Sequence, residues 1–191
     1  MIIAGIDFSI TCPSICVYND VLPFGFENCI FYFNQQNVSL KEHKRREEHT
    51  VKNIFSCPRI LTNTEEMRYY YLIDWTMSVI LENHVEVVSL EDYALGAKGK
   101  VFNIAEVTGL LKHYLFLQNI PVYKYPPTYN KKVFSGKGNA NKGVMIDTFN
   151  QKNHINISNM FGLSEDYTGS PISDIVDSYS LIETYIQSKE T

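Results

Sequence analysis

The sequence has no apolar run approaching the ~18 residues of a membrane span, so nothing in it reads as a transmembrane anchor. The opening Met1–Ile6 run is apolar but reaches Asp7 too soon for a signal-peptide core, and no cleavage-site pattern follows. Cysteine is scarce and unpatterned. Cys12, Cys16, Cys29 and Cys57 include no CxxC pair, and no histidine stands at zinc-finger spacing, so they read as reduced thiols of a cytoplasmic protein. The glycine-rich GKGNANK stretch lacks the GxxxxGK[ST] pattern that cradles nucleotide phosphates. What is present is ordinary for a globular chain: 191 residues, 45% hydrophobic and 20% charged. That length predicts a single domain over 1–191 with a sizeable core of its own.

Positive charge is also short overall, with a net charge of −4. Its distribution matters more than its sum. Between Lys98 and Lys142 stand eight lysines (98, 100, 112, 124, 131, 132, 137 and 142) and one acid, Glu106. That window carries +7, which leaves −11 for the remainder. Such asymmetry predicts one basic surface facing a polyanion, with the acids elsewhere, although a lysine-rich solvated face would look the same.

The hydrophobic pattern predicts three short strands, at 1–7, 14–18 and 29–33, forming a meander. Residues 34–61 contain the charged run KEHKRREEH and read as an excursion from the core. Thr62-x-x-Glu65 resembles a capping box, and Met67, Tyr71, Trp75 and Val79 continue as a helix of about five turns. A strand at 85–91 follows, then a helix marked by Ile104, Val107, Leu111 and Leu115. Gly109 inside that helix is costly unless another backbone packs closely there. A fifth strand at 120–125 ends at Pro126-Pro127, a short helix is expected over 139–150, and a final helix spans about 171–187. A meander followed by alternating strands and helices predicts an α/β protein: a mixed five-stranded sheet of the ribonuclease-H-like arrangement with helices on both faces.

Two of these strands end in acids, Asp7 and Glu91, and ligands gather at strand ends in open α/β sheets. Asp92 competes with Glu91 for the inward position. The last helix adds Asp174 and Asp177, three residues apart on one face, expected on a polar side shared with Ser178. Converging carboxylates repel unless compensated, and two Mg²⁺ or Mn²⁺ ions would offset their four charges. Such an ion pair is the apparatus of in-line phosphodiester cleavage. The plainer alternative for Asp174 is stabilisation of the helix dipole.

Four segments, in order, resemble the motifs of RuvC-type Holliday junction resolvases: IIAGIDFSIT, VVSLEDYALGAKG, IPVYKYPPTYNKKVFSGKGNANK and SDIVDSYSL. The resemblance spans nearly the whole chain except residues 34–61, which are longer than the corresponding bacterial stretch. Phe8-Ser9 stand where familiar members have Pro-Gly, a form more like phage versions, and this would put the protein in a host cytoplasm. The resemblance implies that Asp7, Glu91, Asp174 and Asp177 are catalytic and bind two Mg²⁺, with Mn²⁺ as a substitute. It implies lysines near the scissile phosphate at Lys131 and Lys142, Lys132 competing with Lys131. Lys98, Lys100 and Lys137 complete the expected DNA-binding set. It further implies a homodimer that cuts four-way junctions or forks. An RNase H-like nuclease acting on hybrids or flaps, and a catalytically silent branched-DNA-binding module, are the competing expectations. Phe102 and Tyr129, in the basic window, are candidates for stacking on exposed bases.

Overall fold

The computed structural model describes residues 1–35, 51–57, 62–92 and 101–190. Its sheet is built from β1 (Ile2–Asp7), β2 (Ser14–Asn19), β3 (Cys29–Phe33), β4 (Ile54–Ser56), β5 (Val87–Glu91) and β6 (Val122–Tyr125). The helices are α1 (Glu65–Glu82), α2 (Val101–Leu117), α3 (Pro127–Ser135), α4 (Lys142–Asn153), α5 (Ile157–Met160) and α6 (Ile172–Glu190). The strand order is β4-β3-β2-β1-β5-β6. β1, β2 and β3 form the antiparallel meander, while β5 and β6 add in parallel beside β1. The expected architecture therefore stands, with one addition. A sixth strand, β4, pairs in parallel with β3 and comes from within the stretch read as an excursion.

Strand alternation divides the core in two. Ala4, Ile6, Ile15, Val17, Val88 and Leu90 face one way, against α1 and α2. Ile3, Cys16, Tyr18, Phe31 and Val87 face the other way, towards the residues of α3 to α6. Each face buries its own apolar layer, which is why the central strands are nearly continuous hydrophobic runs.

Some local expectations shift. The cap of α1 is Thr64, whose hydroxyl accepts from the Met67 amide, so Thr62 does not start the helix. Gly109 has no close neighbour at its Cβ position, so no backbone approach explains it. α3 and α5 lie where the sequence pattern suggested no helix. Pro126-Pro127, read as a strand terminator, also opens α3, because proline lacks only an amide that the first helical turn leaves unpaired. Gly136 closes α3 in the left-handed region, with φ 77°.

α6 is not an amphipathic surface helix. Ser178, Ser180 and Thr184 are as fully buried as Ile175, Leu181 and Ile182. Ser178 therefore leaves the polar side assigned to it and turns into the protein, its hydroxyl 3.1 Å from that of Ser14 on β2. The Ser89 hydroxyl on β5 donates to the Leu181 carbonyl at 2.7 Å. A methyl group on Gly5 would collide with the Ser178 carbonyl and stand 2.9 Å from Ile182 Cγ1. Small residues on three adjacent strands thus let α6 lie directly on the sheet, across the ends of β1 and β5.

Candidate active site

Asp7 and Glu91 close β1 and β5, and the register Ile6↔Leu90 makes their strand ends neighbours. Alternation settles which acid of the Glu91-Asp92 pair faces α6. Val87 belongs to the core layer beneath α6, and Ser89 bonds to α6, so Glu91 points to that side. Asp92 projects the other way and is ion-paired to Lys124 at 3.0 Å. From the first turns of α6, Asp174 and Asp177 complete the group. Asp174 is only 9% exposed, and its Oδ2 has no hydrogen-bond partner among the described residues.

The electrostatics show that the four carboxyls feel one another. Burial, then the charges of Asp177, Asp174 and Glu91, push the Asp7 carboxyl well above the usual carboxylate range, against the pull of Lys142. Burial together with Glu91 and Asp174 raises Asp177 to about 7, opposed by Lys131 and Lys142. Glu91 is raised by burial and relieved by Lys131. Asp174 is raised by burial, while hydrogen bonds from Ser170 and Cys12 and the charge of Lys142 act in the opposite direction. Two lysines against four acids leave a net negative cluster. Among the described residues no three acids, histidines or cysteines close into a finished metal cage.

The lysines separate by position. Lys131, on α3, acts on Glu91 and Asp177, whereas its neighbour Lys132 is exposed. Lys142, the first residue of α4, acts on Asp7, Asp174 and Asp177 and donates to the Ser173 hydroxyl at 3.1 Å. Lys137 lies on the exposed turn after α3, and Lys98 and Lys100 lie outside the described residues. Phe102 and Tyr129 are both largely exposed, and Tyr129 stacks on Tyr125 with 5.9 Å between centroids. Sequence reasoning missed the supports: Ser14, Ser89 and Ser173. The one available signal was a serine interrupting the apolar run VVSLE.

No family model and no curated protein matches this sequence. Solved structures do match. The RuvC structure of Thermus thermophilus is 17% identical, with a TM-score of 0.59 over 99% of this chain and 97% of that one. T. thermophilus RuvC in complex with Holliday junction substrate is 17% identical, with a TM-score of 0.63 over 99% and 96%. The chain has the ribonuclease-H-like fold of these resolvases. The yeast mitochondrial Holliday junction resolvase Ydc2 shares it at 12% identity, with a TM-score of 0.52 over 98% of this chain and 80% of that one. Among the described residues no helix is long and apolar enough to cross a membrane.

Proposed function

We propose that this protein is a Mg²⁺-dependent endonuclease that cuts Holliday junctions or other branched DNA. The observation that carries the reading is the meeting of Asp7 and Glu91, at the ends of two adjacent parallel strands, with Asp174 and Asp177 of α6, whose charges together raise Asp7 and Asp177 against Lys131 and Lys142. Fold similarity to junction resolvases, one of them described in complex with a Holliday junction substrate, supports the substrate class.

The donor chemistry suits a pair of divalent cations, although among the described residues no three of the four acids are gathered closely enough to hold an ion as they stand. Their donors are all carboxylate oxygens, which suit Mg²⁺ or Mn²⁺ rather than a softer metal. The buried Asp174 Oδ2 is an acceptor that no donor among the described residues satisfies, as expected of a ligand atom. Asp7, Glu91, Asp174 and Asp177 would hold the ions, which when bound activate a water and stabilise the departing 3′ oxygen. The remaining work falls to the chain itself. Lys142, anchored to Ser173, and Lys131 give the site a positive rim against the DNA backbone. The exposed Lys132 and Lys137 extend that attraction along the DNA.

Paired incision of a four-way junction requires two equivalent sites, and we infer a homodimer acting in the cytoplasm, a host's if the gene is carried by a phage. Exposed Tyr70, Leu110 and Tyr114, around a cavity of about 340 Å³ between α1 and α2, supply an apolar face on which a partner could pack. Incubating the protein with a synthetic four-way junction, a Y-fork and an RNA–DNA hybrid in Mg²⁺ tests the reading. Cleavage of the branched DNAs is expected. Cleavage confined to the hybrid would move the substrate to RNA–DNA, and binding without cleavage would make the protein a silent branched-DNA module.

A further inference from the structure

We propose that Asn130 is a positioning residue, a buried amide that fixes the rotation of α3 on α6 and so aims Lys131 at Glu91 and Asp177. Asn130 is 1% exposed and immediately precedes Lys131 on α3. Its Nδ2 donates to the Ser180 hydroxyl at 2.8 Å, and its Oδ1 accepts from the Thr184 hydroxyl at 2.7 Å. Ser180 and Thr184 are four residues apart, one turn of α6, and both are fully buried. The Ser180 hydroxyl in turn donates to the backbone carbonyl of Asp177 at 2.8 Å. A continuous chain of hydrogen bonds therefore runs from the residue beside Lys131 to Asp177, whose carboxyl feels the Lys131 charge.

An apolar side chain of similar size would also pack between the helices, since Phe134 already meets Tyr179 edge-on there at 6.1 Å. Apolar contact is non-directional and leaves α3 free to rotate about its axis. Two bonds to two fixed hydroxyls do not, because any rotation or one-residue slide leaves a buried amide unsatisfied. Successive helical residues diverge by a fixed angle, so pinning Asn130 inward sets the direction of Lys131. Lys132 is swept to the exposed side by the same geometry. The catalytic consequence of this positioning rests on the nuclease reading above. The positioning itself does not.

The test is therefore double. Competitive acylation of lysine amines, read by mass spectrometry on the full-length protein, reports how freely Lys131 leaves the carboxylates. Asn130→Ala, and Thr184→Val as a milder variant that removes one bond without opening a large space, should raise Lys131 labelling about tenfold with Lys132 unchanged. On a four-way junction in Mg²⁺, Asn130→Ala should lower kcat at least about tenfold with KM unmoved. It should have little further effect in a Lys131→Ala background. Should the wild type cut no branched DNA, the nuclease reading falls while the labelling still decides the positioning. Should Asn130→Ala fail to fold, Thr184→Val decides it. Unchanged Lys131 labelling, or Lys131 and Lys132 rising together as in general loosening, overturns the proposal.

Discussion

Removing one negative charge from the cluster should stabilise the metal-free protein, and Asp177 is the place to measure it. Its carboxyl titrates near 7 rather than near 3.8, driven by burial and by Glu91 and Asp174 against the opposing Lys131 and Lys142. A folded-state pKa raised above the unfolded value means that the folded state binds the proton more tightly. The penalty is therefore absent below about pH 4, grows as pH rises, and is complete above about pH 7. A shift of about three units corresponds to roughly 4 kcal/mol at most. Asp177 is only half-buried, so screening should leave about 2 kcal/mol. For a chain of this length that is a gain of roughly 4–8 °C in melting temperature. Asp177→Asn should thus melt higher than wild type at pH 8 without metal, keep only about a third of that gain at pH 5, and lose nearly all of it by pH 4. Mn²⁺ should raise the wild-type melting temperature at pH 8 and do less for the variant. A variant that melts lower than wild type at pH 8, with the Mn²⁺ response intact, would refute the metal-site argument.

Other outcomes follow from the same geometry. Asp7→Asn and Glu91→Gln should abolish nicking of a four-way junction while leaving its affinity in a gel-shift assay nearly intact, whereas Asp92→Asn, on the Lys124 side of the strand, should keep nicking. Lys131→Ala should slow turnover more than Lys132→Ala, and junction affinity should fall steeply with salt; an affinity indifferent to salt would remove the basic surface from the argument. Gly5→Ala should destabilise the fold by about 3 kcal/mol in a denaturant titration, since α6 lies where the methyl group must go. Light scattering should find a two-fold dimer on junction DNA, and a persistent monomer would count against paired incision.

What could be read in advance follows a physical line. β1, β2 and β5 were legible because strands buried on both faces are apolar runs, and an acid ending such a run has no reason within the core to be there. Asp7 stood out for that reason. β4 was not legible, because three residues, Ile54–Ser56, are too few to show any period. α3 was missed because Pro126-Pro127 is at once a legitimate strand end and a legitimate helix start, and local chemistry does not choose between them. α6 was found at the right place but with the wrong exposure. Its serines and threonine look polar in sequence, yet they bond to Ser14, to Asn130 and to α6's own carbonyls, and so can be buried all round.

The same distinction decides the ambiguous pairs. Glu91 against Asp92, and Lys131 against Lys132, could not be separated by composition, since each pair offers the same charge one residue apart. A strand reverses its side chains at every residue, so one bond from Ser89 to α6 gives the Glu91 side to the carboxyl cluster and leaves Asp92 to Lys124. A helix turns its side chains by a fixed angle, so the buried Asn130 gives Lys131 to the cluster and Lys132 to solvent. In both pairs the deciding residue carries no charge and takes no part in the proposed chemistry. The candidate site is therefore a property of the small polar residues that seat α6 and α3, as much as of the acids and lysines those helices carry.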